Sequence, residues 1–457
     1  MDNTPIQDTQ KGRNEVVVTS IVEDREHNFW LGTSGGLYVC NPDRQKITVQ
    51  RLIPASTGQP ADGDITAFLQ LGNGNIWVAS WEHFITTYDS TLKRTGSLPL
   101  PATKDDNYWR PWCLLETSKG DILVGCQLGR LLIKRAGKTQ FVCLRPDAFD
   151  ERTIRTMTED REGNIWFGTQ HGVIVKWDLH TNQFLRFTDS LYPAREVWGN
   201  IYKLLTDRQG QLWMATNNSG LLKINKRNGA VMAVYKAQDT GSAAITANSV
   251  ADILEYDDST LVLATSFGIN IFNKRHNTFQ AITTLDGLPE NSIVSVQKDK
   301  NGNLWAGSGV GLIKVTWQSR KINTYGLKDG IVNSAFNATV AYRLHNNNLL
   351  AGSSSDFICF HPDSLAGPQV PPDVRITGFK VFNKHWIIDS LLEQHRPVRL
   401  SYMQNFITIS FASLGYTDKG ISLIIFNWRA LIRTGSMQAT GILLPIPICR
   451  AGITPSK

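Results

Sequence analysis

Cysteine is scarce in this chain and poorly placed for chemistry. The six cysteines, Cys40, Cys113, Cys126, Cys143, Cys359 and Cys449, form no CxxC pair and no Cys/His set at zinc-ligand spacing, which speaks against a zinc site and a thioredoxin-type redox centre. Cys113 and Cys126 fall on neighbouring strands of one repeat, where either a disulfide or two small buried thiols would fit. Long apolar runs are missing too. No stretch reaches the roughly 18 to 20 apolar residues needed to cross a bilayer, and residues 1–12 are polar, without the apolar segment of an export signal. As written, the chain is expected to be cytoplasmic and to hold no membrane segment. Acidic residues stop at Asp418: positions 419–457 hold five Lys or Arg and no Asp or Glu. The net charge of +7 therefore sits mostly in that tail, and residues 1–418 carry only +2. That is too little for the electrostatic footprint of a nucleic-acid binder.

What the chain has is a repeat. Eight times an alternating apolar run meets a tight turn and then a kernel of apolar, Trp or aliphatic, apolar, Gly or Ala. The kernels are Phe29-Trp30-Leu31-Gly32, Ile76-Trp77-Val78-Ala79, Ile122-Leu123-Val124-Gly125, Ile165-Trp166-Phe167-Gly168, Leu212-Trp213-Met214-Ala215, Leu261-Val262-Leu263-Ala264, Leu304-Trp305-Ala306-Gly307 and Leu349-Leu350-Ala351-Gly352. A period of 43 to 49 residues means one small unit that buries its apolar face against copies of itself. Residues 153–187 show the unit. Period-two runs are separated by turn signals at Gly163-Asn164, Gly172 and Asn182, so four short antiparallel strands are predicted per repeat.

Four strands at this period make the blade of a β-propeller. The expected fold is all-β: a propeller of seven or eight four-stranded blades over residues 14–366, followed by an incomplete immunoglobulin-like β-sandwich. The kernel Trp is expected to fill the gap between neighbouring blades, and the small residue two positions on to let backbones approach. Gly367-Pro368 and Pro371-Pro372 then mark a boundary, and the extended segments 374–382, 398–400 and 406–411 open the second domain.

Two motifs carry a specific resemblance. Glu159-Asp160-Arg161-Glu162-Gly163-Asn164-Ile165-Trp166-Phe167-Gly168-Thr169, nearly repeated at residues 23–33, resembles the two-component regulator propeller repeat. Asn405-Phe406-Ile407-Thr408-Ile409-Ser410-Phe411-Ala412-Ser413-Leu414-Gly415-Tyr416-Thr417 resembles the opening of the Y-Y-Y domain. Together they resemble the periplasmic sensor region of Bacteroidetes-type hybrid two-component systems. That resemblance implies two seven-bladed rings, an immunoglobulin-like Y-Y-Y domain, a membrane helix and cytoplasmic kinase modules, working as a dimer. Set against that plan, repeat one is expected to be the last blade of an absent ring. Kinase, receiver and membrane helix fall outside the sequence, so no catalytic activity and no cofactor are expected of it.

The Y-Y-Y domain is expected over 370–420 and to be incomplete. Family members continue with Leu-Glu-Gly-Phe-Asp and a Trp, whereas this chain reads Phe426-Asn427-Trp428-Arg429-Ala430-Leu431-Ile432-Arg433-Thr434-Gly435. Synonymous codons for that run, read one base earlier, can encode Gln-Leu-Glu-Gly-Phe-Asp-Lys-Asp-Trp. Residues 421–457 are therefore expected to be a frameshifted tail; a divergent natural C-terminus is the alternative, and the nucleotide sequence decides.

A ligand of a propeller sits where the loops entering the innermost strands meet the turns between second and third strands. Repeats six to eight enter through regular loops, as at Glu290-Asn291-Ser292-Ile293. Repeats three to five break the pattern with Trp109-Arg110-Pro111-Trp112, Arg152-Thr153-Ile154-Arg155 and Glu196-Val197-Trp198. The second turn deviates on the same side with Trp81-Glu82-His83, Gln170-His171 and Asn217-Asn218. The expected ligand-binding residues are Trp81, His83, Trp109, Arg110, Trp112, Arg155, His171, Trp198 and Asn218. Aromatic faces stack on sugar rings, Arg and His pair with carboxylate or sulfate, and Asn bridges hydroxyls. That mixture suits an oligosaccharide, with an acidic one included, or another small periplasmic ligand. Each tryptophan could instead plug the ring or meet a partner subunit. The rival readings are a glycosidase or lyase, for which only Glu82 and Glu196 are on offer as carboxylates, and a protein-binding scaffold.

Overall fold

The computed structural model describes residues 17–24, 27–40, 46–52, 63–81, 84–100, 110–187, 199–237, 244–333, 335–366, 374–387, 398, 400, 404, 406–413, 424–432, 435–443 and 449–453. The chain divides into two compact units. One is Pro42–Gly367, and the other combines Met1–Asn41 with Pro368–Lys457.

The first unit is a closed ring of seven four-stranded antiparallel sheets. Blades carry the number of the repeat that builds them, two to eight. Blade four runs Ile154–Glu159, Ile165–Thr169, Ile174–Asp178 and Gln183–Phe187 from the centre outward. The second strand of every blade holds the kernel and is buried along its length, as in Ile165–Thr169 and Leu304–Ser308. Both of its faces pack on protein, because each blade is sandwiched between two others.

The kernel residues do what their shapes allow. Trp166 packs with Ile201, Leu204, Leu212 and Met214 of blade five, and Leu123 takes the same place against Ile165, Phe167 and Val175 of blade four. A Cβ on Gly168 would stand 2.5 Å from Ile201 Cγ2, and one on Gly352 would stand 2.9 Å from Ile65 Cγ2. The small residue is what admits the next inner strand. In three blades the indole N–H of the kernel Trp finds an acceptor at the preceding turn: Trp166 Nε1 donates to Asp160 Oδ2 at 2.9 Å, Trp213 to Asp207 at 2.9 Å and Trp305 to Asp299 at 3.0 Å. The other oxygen of Asp160 accepts the turn N–H groups of Glu162 and Asn164. One carboxylate thus fixes both the hairpin and the tryptophan.

Repeat eight supplies only three strands to its blade, and the fourth comes from the other end of the chain. Ile47–Arg51 pairs antiparallel with Asp356–Phe360, Ile47 opposite Phe360. Asn337 Nδ2 donates to the Ile65 carbonyl at 3.0 Å, and Tyr342 Oη accepts the Gln70 N–H at 3.2 Å, joining blade eight to blade two. The ring therefore closes at seven, which decides between the seven and eight blades open in sequence. It also corrects the expected start at residue 14: once residues 47–51 occupy the outer edge of blade eight, repeat one has no place in the circle. Its strands Val18–Glu23, Phe29–Thr33 and Gly36–Cys40 form a separate three-stranded sheet, with Ile21, Val22 and Leu37 exposed.

In the other unit, Val374–Val381 pairs with Lys384–Trp386 and Ile407–Ser413, and Cys449–Ile453 adds to the far edge. Phe379 and Val381 are buried there among Trp386, Ile407 and Ile409. Ile424–Ile432 and Gly435–Leu443 form a hairpin of their own. Besides the sheet of repeat one, the described residues of this unit form one four-stranded sheet and one two-stranded ribbon.

Candidate ligand-binding site at the channel mouth

The site follows from a slip of register repeated around the ring. In blade three Pro111 faces Cys126 and Cys113 faces Gly125, leaving Trp112 without a partner. In blade four the same slip leaves Arg155 between Ile154 and Thr156, and in blade five it leaves Tyr202 between Ile201 and Lys203. Thr66, Ala251 and Val294 hold the equivalent place in blades two, six and seven. A bulge of this kind re-aims one side chain while the strand goes on. The preceding residue, Ile65, Ile154 or Ile201, is buried in the ring, and the bulged residue is turned to the channel. Thr66, Trp112, Arg155 and Tyr202 accordingly line one cavity of about 160 Å³, together with Asp64, Trp81 and the segment 337–340.

A backbone bond keeps the two loop sets on one face. The first N–H of the turn after the second strand donates to the residue that enters the inner strand: Trp81 to Asp64, Gln127 to Arg110, Gln170 to Thr153 and Asn217 to Asn200. Trp81 holds the place that Gln and Asn hold in blades three to five, and its ring reaches the cavity.

Five side chains from four blades form a ladder. The Arg110 guanidinium carbon lies 4.9 Å from the Trp81 ring centre. The Trp81 and Trp112 rings meet edge to face at 5.4 Å and 69°. Arg155 lies 4.1 Å over Trp112 and 5.3 Å from Tyr202. The indole N–H groups of Trp81 and Trp112 are buried and have no hydrogen-bond partner among the described residues, unlike those of Trp166, Trp213 and Trp305. Burial holds the Arg155 guanidinium below its ordinary value, opposed by Tyr202 and Cys113. Beneath it Lys203 pairs with the buried Asp252 at 3.6 Å, so that cation is already engaged.

Of the residues expected from sequence, Trp81, Trp112 and Arg155 line the cavity and Arg110 stacks behind them. His171 does not line it: it sits exposed at the tip of its turn with φ 60°, and its carbonyl accepts from Arg152 at 2.9 Å. Asn218 is exposed as well, while its neighbour Asn217 accepts the Asn200 N–H at 2.8 Å and acts as a brace. His83, Trp109 and Trp198 lie outside the described residues, as do Glu82 and Glu196. Tyr202, Asp64 and Thr66 were not anticipated. Their signal was available, for Tyr202 stands at the same offset from Ala215 as Trp112 from Gly125 and Arg155 from Gly168.

Residues 12–35, 149–171, 197–218 and 287–309 match the family model of the two component regulator propeller. Four segments of the chain are thus similar to that repeat. Its fold is that of the extracellular domain of a hybrid two component system from B. thetaiotaomicron, with a TM-score of 0.70 at 20% identity over 96% of this chain and 59% of that one. The Formosa agariphila protein named histidine kinase P4 is 22% identical over 243 residues, 52% of this chain and 17% of that protein. The ring is also similar to that of streptogramin B lyase, at a TM-score of 0.55 and 14% identity over 68% of this chain and 97% of the lyase. The chain thus spans less than two thirds of the sensor domain and under a fifth of the kinase. Among its described residues no helix is long and apolar enough to cross a membrane.

Proposed function

We propose that this chain is the ligand-sensing ectodomain part of a hybrid two-component sensor, that it works in the periplasm, and that it binds oligosaccharides at the channel mouth to regulate carbohydrate use. One observation carries the reading: two tryptophans with unpaired buried N–H groups face a cavity that also holds a cation, a carboxylate and hydroxyls. Such a wall offers a stacking surface for a pyranose and both donors and acceptors for its hydroxyls. The kinase chemistry belongs to the longer relatives. In this reading, ligand alters the packing of propeller and Y-Y-Y domains in a dimer, and that change is passed across the membrane.

Turnover is not part of the reading. Glycoside hydrolysis as a rule needs two convergent carboxylates, and among the lining residues Asp64 stands alone. Calorimetric titration of the chain with neutral and acidic oligosaccharide pools tests the proposal. Binding that is lost in Trp81→Ala/Trp112→Ala supports it. Product release from any pool, or a melting temperature that responds to a protein partner and to no glycan, overturns it.

A further inference from the structure

Among the described residues the cavity lining holds one cation, Arg155, and no carboxylate is paired with it. Arg155 makes no hydrogen bond or ion pair within the described residues, although neighbouring arginines do: Arg152 meets Asp150 at 3.3 Å and Arg186 meets the same carboxylate at 3.1 Å. Lys203, one residue on, has Asp252. Asp64 lines the same cavity but makes no ion pair with Arg155. Arg155 is half-buried and packed on aromatic faces, and a guanidinium offers five N–H donors, none of which is taken by a described acceptor. Trp112 covers one face at 4.1 Å and Tyr202 stands at 5.3 Å, so the in-plane donors are what remains for a ligand. Two parallel donors match the two oxygens of a carboxylate or a sulfate.

Resting on the oligosaccharide reading above, we infer that Arg155 is the anchor of an anion subsite and that the propeller selects acidic sugars, with the carboxylate or sulfate on Arg155 and the ring against Trp81 and Trp112. At about 160 Å³ the cavity is smaller than the roughly 300 to 1,000 Å³ of a pocket that engulfs a drug-sized ligand. It takes the charged end of a chain, not its length. Asp64 accepts from hydroxyls of that same unit and disfavours a second anion beside the first. Burial lowers the Arg155 guanidinium's own value, and an anion beside it acts in the opposite sense by favouring the charged form.

The experiment is titration of the full chain with oligosaccharide pools from pectate, alginate and heparin, each beside its carboxyl-reduced counterpart and, for heparin, its desulfated one. The expected result is that at least one acidic pool binds and that removing its anion weakens binding tenfold or more. Loss on carboxyl reduction assigns a uronate; loss on desulfation assigns a sulfate ester. Arg155→Gln should bring the acidic pool down to the affinity of its neutral counterpart. Arg155→Lys, which keeps the charge and loses the fork, should fall between, and it serves as the test if the Gln variant fails to fold. A neutral pool that binds as well as its acidic parent, or an acid preference that survives both substitutions, overturns the anion subsite while leaving the oligosaccharide reading in place. No binding by any pool overturns both.

Discussion

The guanidinium of Arg155 in blade four lies 4.1 Å over the ring of Trp112 in blade three, and the two side chains come from the same bulge position of adjacent inner strands. Neither is part of the repeat's core. They sit at a bulge that recurs around the ring with a different side chain in each blade, and kernel and bulge tryptophans are expected to respond differently to truncation.

Trp166→Ala removes a fully buried kernel residue and its hydrogen bond to Asp160. It should cost roughly 3 to 5 kcal/mol of stability, as core aromatic truncations do. Trp112→Ala should cost about 1 to 2 kcal/mol, the scale of its cation–π and edge contacts, and should weaken ligand binding by about tenfold. Denaturant unfolding and calorimetry on both variants check the pair; similar losses of stability would sink the distinction.

Ring closure by Ile47–Arg51 can be tested by truncation. Removing residues 1–41 takes away the separate three-stranded sheet and should leave the unfolding of the ring unchanged. Removing residues 1–52 strips the outer strand of blade eight and with it the buried Ile47 and Leu52. At about 1.5 to 3 kcal/mol per buried side chain, a loss of roughly 3 to 6 kcal/mol is expected by chemical denaturation.

Acid should loosen the joint between blades five and six. Burial pushes the Asp207 carboxyl up, but Lys274 at 2.8 Å, the Trp213 indole at 2.9 Å and the Gln211 N–H outweigh it and hold the group below its ordinary value. Its stabilisation is present above the unfolded value of about 3.9 and lost as pH falls through the lower folded value. Asp207→Asn should be less stable at pH 7, and should lose less stability than the parent between pH 5 and pH 3. Urea titrations at three pH values measure this.

Cys113 and Cys126 are free thiols, which settles the choice between a disulfide and two buried thiols. Burial pushes Cys113 up to about 12 and Cys126 well above its ordinary value. In native protein at pH 8, iodoacetamide should label the exposed Cys143 and spare these two until denaturant is added, as read by peptide mass spectrometry.

Much of the fold was legible because it is repetitive. The alternation of residues 154–159 and the turn at Gly163-Asn164 specify a hairpin locally, and eight copies of the kernel leave few ways to bury it. The candidate site was only half legible. Trp112 and Arg155 stand out because they break a pattern, whereas Tyr202 looks like any strand aromatic unless its offset from Ala215 is compared with theirs, and only the register slip gives that offset a direction in space. His171 and Asn218 break the pattern equally well, yet they lie on turn tips, because a deviation in sequence carries no direction in space.

The sequence by itself determined the blade: period-two strands, a hairpin capped by Asp160, and a tryptophan or aliphatic residue followed by a residue small enough for the next strand to approach. These are local and nearest-neighbour interactions, so each repeat encodes them alone. Tertiary structure decided the number of blades and the content of the cavity. Both depend on contacts between residues hundreds of positions apart, Ile47 with Phe360 and Thr339 with Trp112 around one opening, which no single repeat can specify.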